Sequence, residues 1–163
     1  MLYPFLHIVH LVTVILWIGG LAFITILILP MIVKMPDALQ KALLFQRIEH
    51  RFAPLARYFA AVVGITGFTM FFTRGLGDTL LTREGHSLLF MIAVWSFWVV
   101  MLFGLEPLII KKLLDNMASE GGNKGKKPDI DAVFSRMKRL HWVLLTLSLA
   151  AAASGAIFAH GFI

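Results

Sequence analysis

The chain is small, strongly apolar and basic: of its 163 residues, 59% are hydrophobic and 15% are charged, and the formal net charge is +6. Soluble domains have about a quarter of their residues charged, and so small a body cannot hide this apolar excess from solvent. The composition therefore excludes a soluble globular domain and predicts an integral membrane protein. The basic residues flank apolar runs, where we expect them to contact the lipid bilayer and not nucleic acid. Cysteine is absent, which excludes disulfides and thiolate metal sites.

Four apolar runs are long enough to cross a bilayer, whose hydrocarbon core needs about 20 helical residues. They cover residues 4–33, 53–73, 87–110 and 140–159. Pro4 and Pro54 are each expected in the first turn of a helix, where the missing N–H leaves no hydrogen bond unmade. The predicted fold is an all-α integral membrane bundle of four transmembrane helices, forming a single domain over residues 1–163.

Two connecting segments have a character of their own. Segment 37–51 follows a rough helical stripe of apolar residues with lysine and arginine between them. Asp37 is suited to cap it, and we expect either an interfacial helix or a cytosolic extension of the second span. Residues 115–131 include the polar, glycine- and lysine-rich stretch ASEGGNKGKKPD, which is typical of a flexible cytosolic loop.

The lysines and arginines of the three connections predict the orientation. Connection 34–57 carries five of them and connection 111–139 carries eight, whereas connection 74–86 carries two. The positive-inside rule places the first and third connections in the cytoplasm. Both termini are therefore expected on the outer, periplasmic side of a bacterial cytoplasmic (inner) membrane.

Six histidines occur, and their heights along the predicted helices sort them into two layers. At 1.5 Å of rise per residue, for example, His10 lies about 36 Å from Lys34 at the inner end of the first span. The outer layer contains His7, His10, His86 and His160, and the inner layer contains His50 and His141. Ionisable side chains inside membrane spans are costly when unpaired and mark functional sites.

Imidazoles from different helices at one height suit a b-type haem, which takes an axial ligand on each face. The two layers predict one or two haems. In the outer layer His10 would pair with His86 or His160, and in the inner layer His50 would pair with His141. Candidates for contacts with the haem propionates at either surface are His7, Arg51, Arg57 and Arg74. The alternative role for these side chains is contact with lipid headgroups and water.

Copper is a weaker alternative to haem. The eight methionines supply thioether sulfur, a soft ligand that suits Cu(I). They form no Met-x-Met or Met-x-x-Met cluster, and Met31 and Met35 are their only close pair. Methionine is also common filler in apolar cores, so the pattern favours haem.

The first run, LHIVHLVTVILWIGGLAFITILILP, contains histidine, then W-x-G-G, then a terminal L-P. It resembles the first helix of the CopD-like membrane domain and the opening of HemJ-type protoporphyrinogen oxidases. The stretch RFAPLARYFAAVVGITG (51–67) is similar to the CopD-like second helix. The resemblance implies a small four-helix bacterial membrane protein. It also implies that His10 (or His7) is the key first-helix histidine, a haem axial ligand in HemJ-type members.

Three classes of function follow. The leading prediction is a b-type haem protein, a membrane oxidoreductase without identified catalytic residues, that passes electrons between a quinone or redox protein and an acceptor at the outer face. The second is a CopD-like copper transport or handling protein. The third is a HemJ-like protoporphyrinogen oxidase, or a non-catalytic subunit that packs through its aromatic third span into a homo-oligomer or a larger respiratory complex.

Overall fold

The computed structural model describes residues 2–82, 85–105 and 130–160, and these ranges consist of helices and short turns, with no strand. Helix α1 comprises Leu2–Phe23, a π-helical segment Ile24–Ile28 and Leu29–Val33. Helix α2 covers Ala38–Thr73, and a 3₁₀ turn follows at Asp78–Leu81. Helix α3 comprises Gly85–Val100 and a π-helical segment Met101–Leu105, and helix α4 covers Ile130–His160.

Each of the four helices contains a stretch that is long and apolar enough to cross a membrane: Leu2–Val33, Leu39–Thr73, Gly85–Gly104 and Ala132–His160. For the described residues, the predicted all-α class is therefore confirmed, as is the number of helices that are long and apolar enough to cross a membrane. Large apolar side chains also cover the outside of the bundle, since Phe5, Ile65 and Phe72 are 64%, 68% and 73% exposed. Such a surface is compatible with an apolar solvent and a multi-pass membrane protein.

Helix α2 is longer than the predicted second span, because its 36 residues include the segment that precedes that span. Asp37 caps this helix as expected, since its carboxylate accepts hydrogen bonds from the backbone N–H groups of Leu39 and Gln40 at 2.8 and 3.1 Å. Pro54 lies inside α2, so the expectation that it begins a helix is wrong. Proline removes one hydrogen bond from the helix, yet α2 is continuous through this position, between the buried residues Ala53 and Ala56.

The predicted loop and the third span are described only in part. Helix α4 begins at Ile130, inside the predicted loop 115–131, so the last two residues of that loop are helical. Residues 115–129 lie outside the described ranges, as do residues 106–110 of the predicted third span.

Neighbouring helices are antiparallel, because residues later in one helix contact residues earlier in the next. Between α1 and α2, Tyr3 contacts Arg74 and Gly20 contacts Phe52. Between α2 and α3, Arg57 contacts Leu102 and Ala60 contacts Trp95. Between α3 and α4, Met91 contacts Gly155 and Trp98 contacts Ser148. The start of α1, the end of α2, the start of α3 and the end of α4 therefore share one end of the bundle, which we call the His10 end.

The core is centred on two tryptophans from opposite helices. The rings of Trp17 in α1 and Trp98 in α3 meet edge to face at a centroid distance of 5.4 Å, and each residue is 7% exposed. The Trp98 indole donates a hydrogen bond to Ser148 Oγ at 2.9 Å, which ties α3 to α4. The aromatic residues of α3 thus divide between core and surface, with Phe97 and Phe103 exposed.

Small residues leave room for side chains of neighbouring helices. A methyl group at Gly20 would lie 2.6 Å from the Phe52 ring, and one at Gly64 would overlap the Trp95 ring. Small residues in spanning helices are usually associated with close backbone approach. In this bundle, aromatic rings from the facing helix fill the space above them.

Candidate functional site

His10 lies on the face of α1 that points into the bundle. Thr13, Trp17 and Leu21 follow it at intervals of three and four residues, which repeat one face of a helix, and all three are buried. His10 itself is half-buried at the outer end of this stripe. Its imidazole is therefore directed at neighbouring helices, whereas His7, one turn earlier, is exposed.

A hydrogen bond joins His10 to helix α2. The distance from His10 Nδ1 to the hydroxyl oxygen of Thr66 is 2.9 Å. Thr66 is 6% exposed, so this bond lies inside the bundle. This side-chain bond joins α1 to α2 across their interface.

Gly67 provides the room for the imidazole. A methyl group at this position would lie 3.2 Å from His10 Cε1 and 3.7 Å from Nδ1. The edge of the ring formed by these two atoms therefore faces α2. Any larger residue at Gly67 would press on the ring.

Tyr3, His7 and Arg74 continue the boundary between α1 and α2 toward the His10 end. The Arg74 guanidinium lies 3.8 Å from the centroid of the Tyr3 ring, and the Tyr3 and His7 rings stack with centroids 6.0 Å apart. Arg74 directly follows the end of α2, eight residues and about 12 Å beyond Thr66. Its guanidinium is thus held against the Tyr3 ring at the His10 end, in a contact that cation–π attraction stabilises.

The other predicted histidine ligands lie on α2, α3 and α4. His86 and His160 are exposed at the His10 end, and His160 Nδ1 lies 2.9 Å from the carbonyl oxygen of Ala156 in its own helix. His50 is exposed, and His141 is half-buried with its Nδ1 3.0 Å from the Met137 carbonyl oxygen; both lie in the half of the bundle away from His10.

No described contact joins the predicted pairs, so His10 with His86 or His160, and His50 with His141, stay predictions. Within residues 2–82, 85–105 and 130–160, no group of three or more histidine, aspartate or glutamate side chains is arranged to hold a metal ion. A haem needs only one or two protein ligands, and His10 is the histidine that the structure places inside the bundle with a partner on another helix.

The remaining arginine candidates differ in their surroundings. Arg51 is exposed on α2. Arg57 is half-buried, and its Nε donates a hydrogen bond to the carbonyl of Leu102 at 3.0 Å. Leu102 belongs to the π-helical segment of α3, and such segments shift the backbone hydrogen-bond pattern. Arg57 thus ties α2 to α3 at an irregular point in the helix.

Sequence reasoning assigned neither Thr66 nor Gly67 a part in the histidine site. Both belong to the ITG stretch of the second apolar run, where threonine and glycine are ordinary residues for helix packing. Their relation to His10 depends on which faces of α1 and α2 meet, and at which height. The T-G pair opposite a histidine on the preceding helix is the signal that could have indicated it.

An open groove of about 460 Å³ lies on the other side of α2, between α2 and α3. Its lining is apolar and aromatic apart from Thr69, and it includes Phe68, Phe72 and Trp95. His10 does not line this groove, which is therefore separate from the site described above.

Comparisons of the chain with models of protein families, with curated proteins and with solved structures give no match. The resemblance to CopD-like and HemJ-type proteins accordingly stays a prediction from the motifs of the first two helices.

Proposed function

We propose that this chain is an integral protein of the bacterial cytoplasmic membrane that binds haem b through His10 and transfers electrons. The observation that carries the proposal is the half-buried His10 imidazole, directed into an apolar bundle and held at Nδ1 by Thr66. Metal-ligating histidines almost always donate their second ring N–H to a protein acceptor, which orients the ring. The contact between His10 Nδ1 and Thr66 Oγ1 has the distance that such a bond requires.

The donor chemistry around His10 fits an axial haem ligand. Nε2 is the nitrogen that the hydrogen bond to Thr66 leaves for iron. Arg74 and His7, toward the end of the bundle, suit the carboxylates of the propionates, because charge-assisted hydrogen bonds to guanidinium are strong. When bound, haem supplies one-electron chemistry through the ferric and ferrous states of its iron.

A second axial ligand would have to come from another helix at the same end. His86 and His160 both lie at the His10 end of the bundle. His50 and His141, in the other half, are the candidates for a second haem. We therefore propose one or two haems, with the His10 site as the one supported by contacts.

We further propose that the His10 end faces the periplasm. Lysine and arginine are concentrated in residues 34–57 and 111–139. The described helix ends that flank these residues lie opposite the His10 end, and such basic connections remain in the cytoplasm. Electrons would then pass from a quinol or a reduced protein to an acceptor at the outer face. A homo-oligomer or a larger membrane complex would provide the partner surfaces.

Metal and cofactor analysis of the purified full chain tests the proposal against its alternatives. After haem-replete expression, we expect a Soret band and a pyridine haemochrome spectrum of haem b. Copper without haem would overturn the proposal in favour of copper handling. Neither group, together with co-purification of a larger complex, would overturn it in favour of a non-catalytic subunit.

A further inference from the structure

We infer that Thr66 is a positioning residue that keeps the proton of the neutral His10 imidazole on Nδ1 and so reserves Nε2 for a ligand. The part of this inference that concerns iron rests on the proposed function. The placement of the proton does not, because it follows from contacts between α1 and α2.

The single hydrogen of the Thr66 hydroxyl faces two backbone carbonyls of α2. Thr66 Oγ1 lies 2.7 Å from the carbonyl oxygen of Val62 and 3.2 Å from that of Val63. Carbonyl oxygens only accept hydrogen bonds, and a lone pair directed at two of them would be repelled. The hydroxyl therefore donates to the backbone of its own helix.

The His10 ring contacts this hydroxyl through Nδ1. Since the hydroxyl hydrogen is committed to the backbone, Thr66 Oγ1 is an acceptor toward His10 Nδ1, 2.9 Å away. The ring presents its Nδ1–Cε1 edge to α2. An acceptor on that helix thus requires the N–H to be at Nδ1.

The position of this proton determines the state of the second ring nitrogen, Nε2. A neutral imidazole has one N–H, and the opposite nitrogen then carries a lone pair. With the proton on Nδ1, His10 Nε2 can bind iron or accept a proton without any change of tautomer. Thr66 contacts neither the iron nor a substrate, so it acts only through His10.

The tautomer of the full chain without haem gives a direct test. Nuclear magnetic resonance of ¹⁵N-histidine-labelled chains in lipid bilayers measures the tautomer. Spectra would be compared at about pH 8, above the usual histidine pKa of about 6.5. The His10 signals are those lost in His10→Gln. We expect a protonated Nδ1 and an unprotonated Nε2 in the unmodified chain. Thr66→Val should shift the tautomer ratio by up to about tenfold toward Nε2–H, as expected for one lost hydrogen bond.

Two further variants separate this role from general packing. Thr66→Ser retains the hydroxyl and should restore the original tautomer. Thr69→Val removes a hydroxyl that bonds only within α2, to the Ile65 carbonyl at 2.7 Å, and should leave His10 unchanged. An unprotonated Nδ1 in the unmodified chain, or a folded Thr66→Val chain with an unchanged ratio, would overturn the inference.

The haem-loaded protein gives a second readout. The hydrogen bond from Nδ1–H makes the ligand more basic and so favours ferric iron, which means that Thr66→Val should raise the midpoint potential and Thr66→Ser should restore it. An unchanged potential in Thr66→Val would overturn the role toward iron. If the chain binds no haem but shows the expected tautomers, the proposed function is wrong and the placement of the proton stands.

Discussion

The space above Gly67 decides where the His10 imidazole can lie. Helix α1 contributes the imidazole of His10, and α2 contributes the hydroxyl of Thr66 and the space beside Gly67. These three residues are complementary in shape and hydrogen bonding. A site of this kind depends on distances of a few tenths of an ångström. Single substitutions therefore test it with little change to the rest of the bundle.

Gly67→Ala should weaken haem binding by on the order of tenfold, because disturbing the orientation of a ligating histidine costs about that much affinity. The added methyl group would lie 3.2 Å from His10 Cε1 and push the ring away from Thr66. Haem titration of the purified chain measures the effect. Gly19→Ala is the matched control, since a methyl group there meets nothing within 4 Å; equal affinities for the two variants would contradict the placement of the ring.

Ser148→Ala should destabilise the protein by about 1–3 kcal/mol, because it leaves the buried Trp98 N–H without its acceptor. Thr146→Ala on the same helix is the control: its hydroxyl is exposed and bonds to the Trp142 carbonyl of its own helix, so we expect a change of no more than about 0.5 kcal/mol. Equilibrium unfolding in mixed micelles compares the two. A smaller loss for Ser148→Ala than for the control would contradict the assigned bond.

At the scale of the helices, the second half of α2 is held by partners on two different neighbours. It contacts α1 through Thr66, nearer the His10 end, and α3 through Arg57, near the middle of the helix, which bonds to the π-helical segment at Leu102. Between these points the Trp95 indole of α3 donates to the Ala60 carbonyl at 2.9 Å. The rotation of α2 about its axis is therefore set by several polar contacts.

Gly64→Ala should destabilise the contact between α2 and α3 by about 1–3 kcal/mol, the usual range for overpacking a core. A methyl group at Gly64 would overlap the Trp95 ring and displace its indole from the Ala60 carbonyl. Thermal unfolding followed by circular dichroism measures the change. A variant as stable as the original chain would show that Trp95 does not occupy this position.

The helices themselves were predictable from the sequence, and the contacts of His10 were not. Span length and hydropathy determine how many helices form, and an aspartate before a helical stripe indicates a cap, as at Asp37. The prediction that Pro54 begins a helix was wrong, because the preference of proline for first turns is a local rule. In the structure α2 is continuous on both sides of Pro54. The contact between His10 and Thr66 depends on the relative rotation and height of two helices, which no short stretch of sequence contains.

At the scale of the whole molecule, antiparallel neighbours bring the ends of all four helices together at the His10 end. The turn after α2 lies at this end, whereas the turn after α1 lies at the other. The proposed orientation thus assigns the two turns to opposite sides of the membrane.

The absence of cysteine makes this orientation accessible to single-cysteine labelling. We expect Gly77→Cys, in the turn after α2, to react with a membrane-impermeant thiol reagent in cells whose outer membrane alone has been permeabilised. Met35→Cys, in the turn after α1, should react only after the inner membrane is opened. The reverse pattern would contradict the proposed topology.

Binding of haem by His10 is tested by the haem-to-protein ratio of the full chain and of two α1 variants. Ile8→Ala is the matched control, because Ile8 lies two residues from His10 on α1, is exposed and has no proposed part in binding haem. We expect the unmodified chain and Ile8→Ala to retain haem at His10, and His10→Ala to lose one haem per chain. An unmodified chain without a Soret band, or a His10→Ala variant with an unchanged ratio, would contradict it.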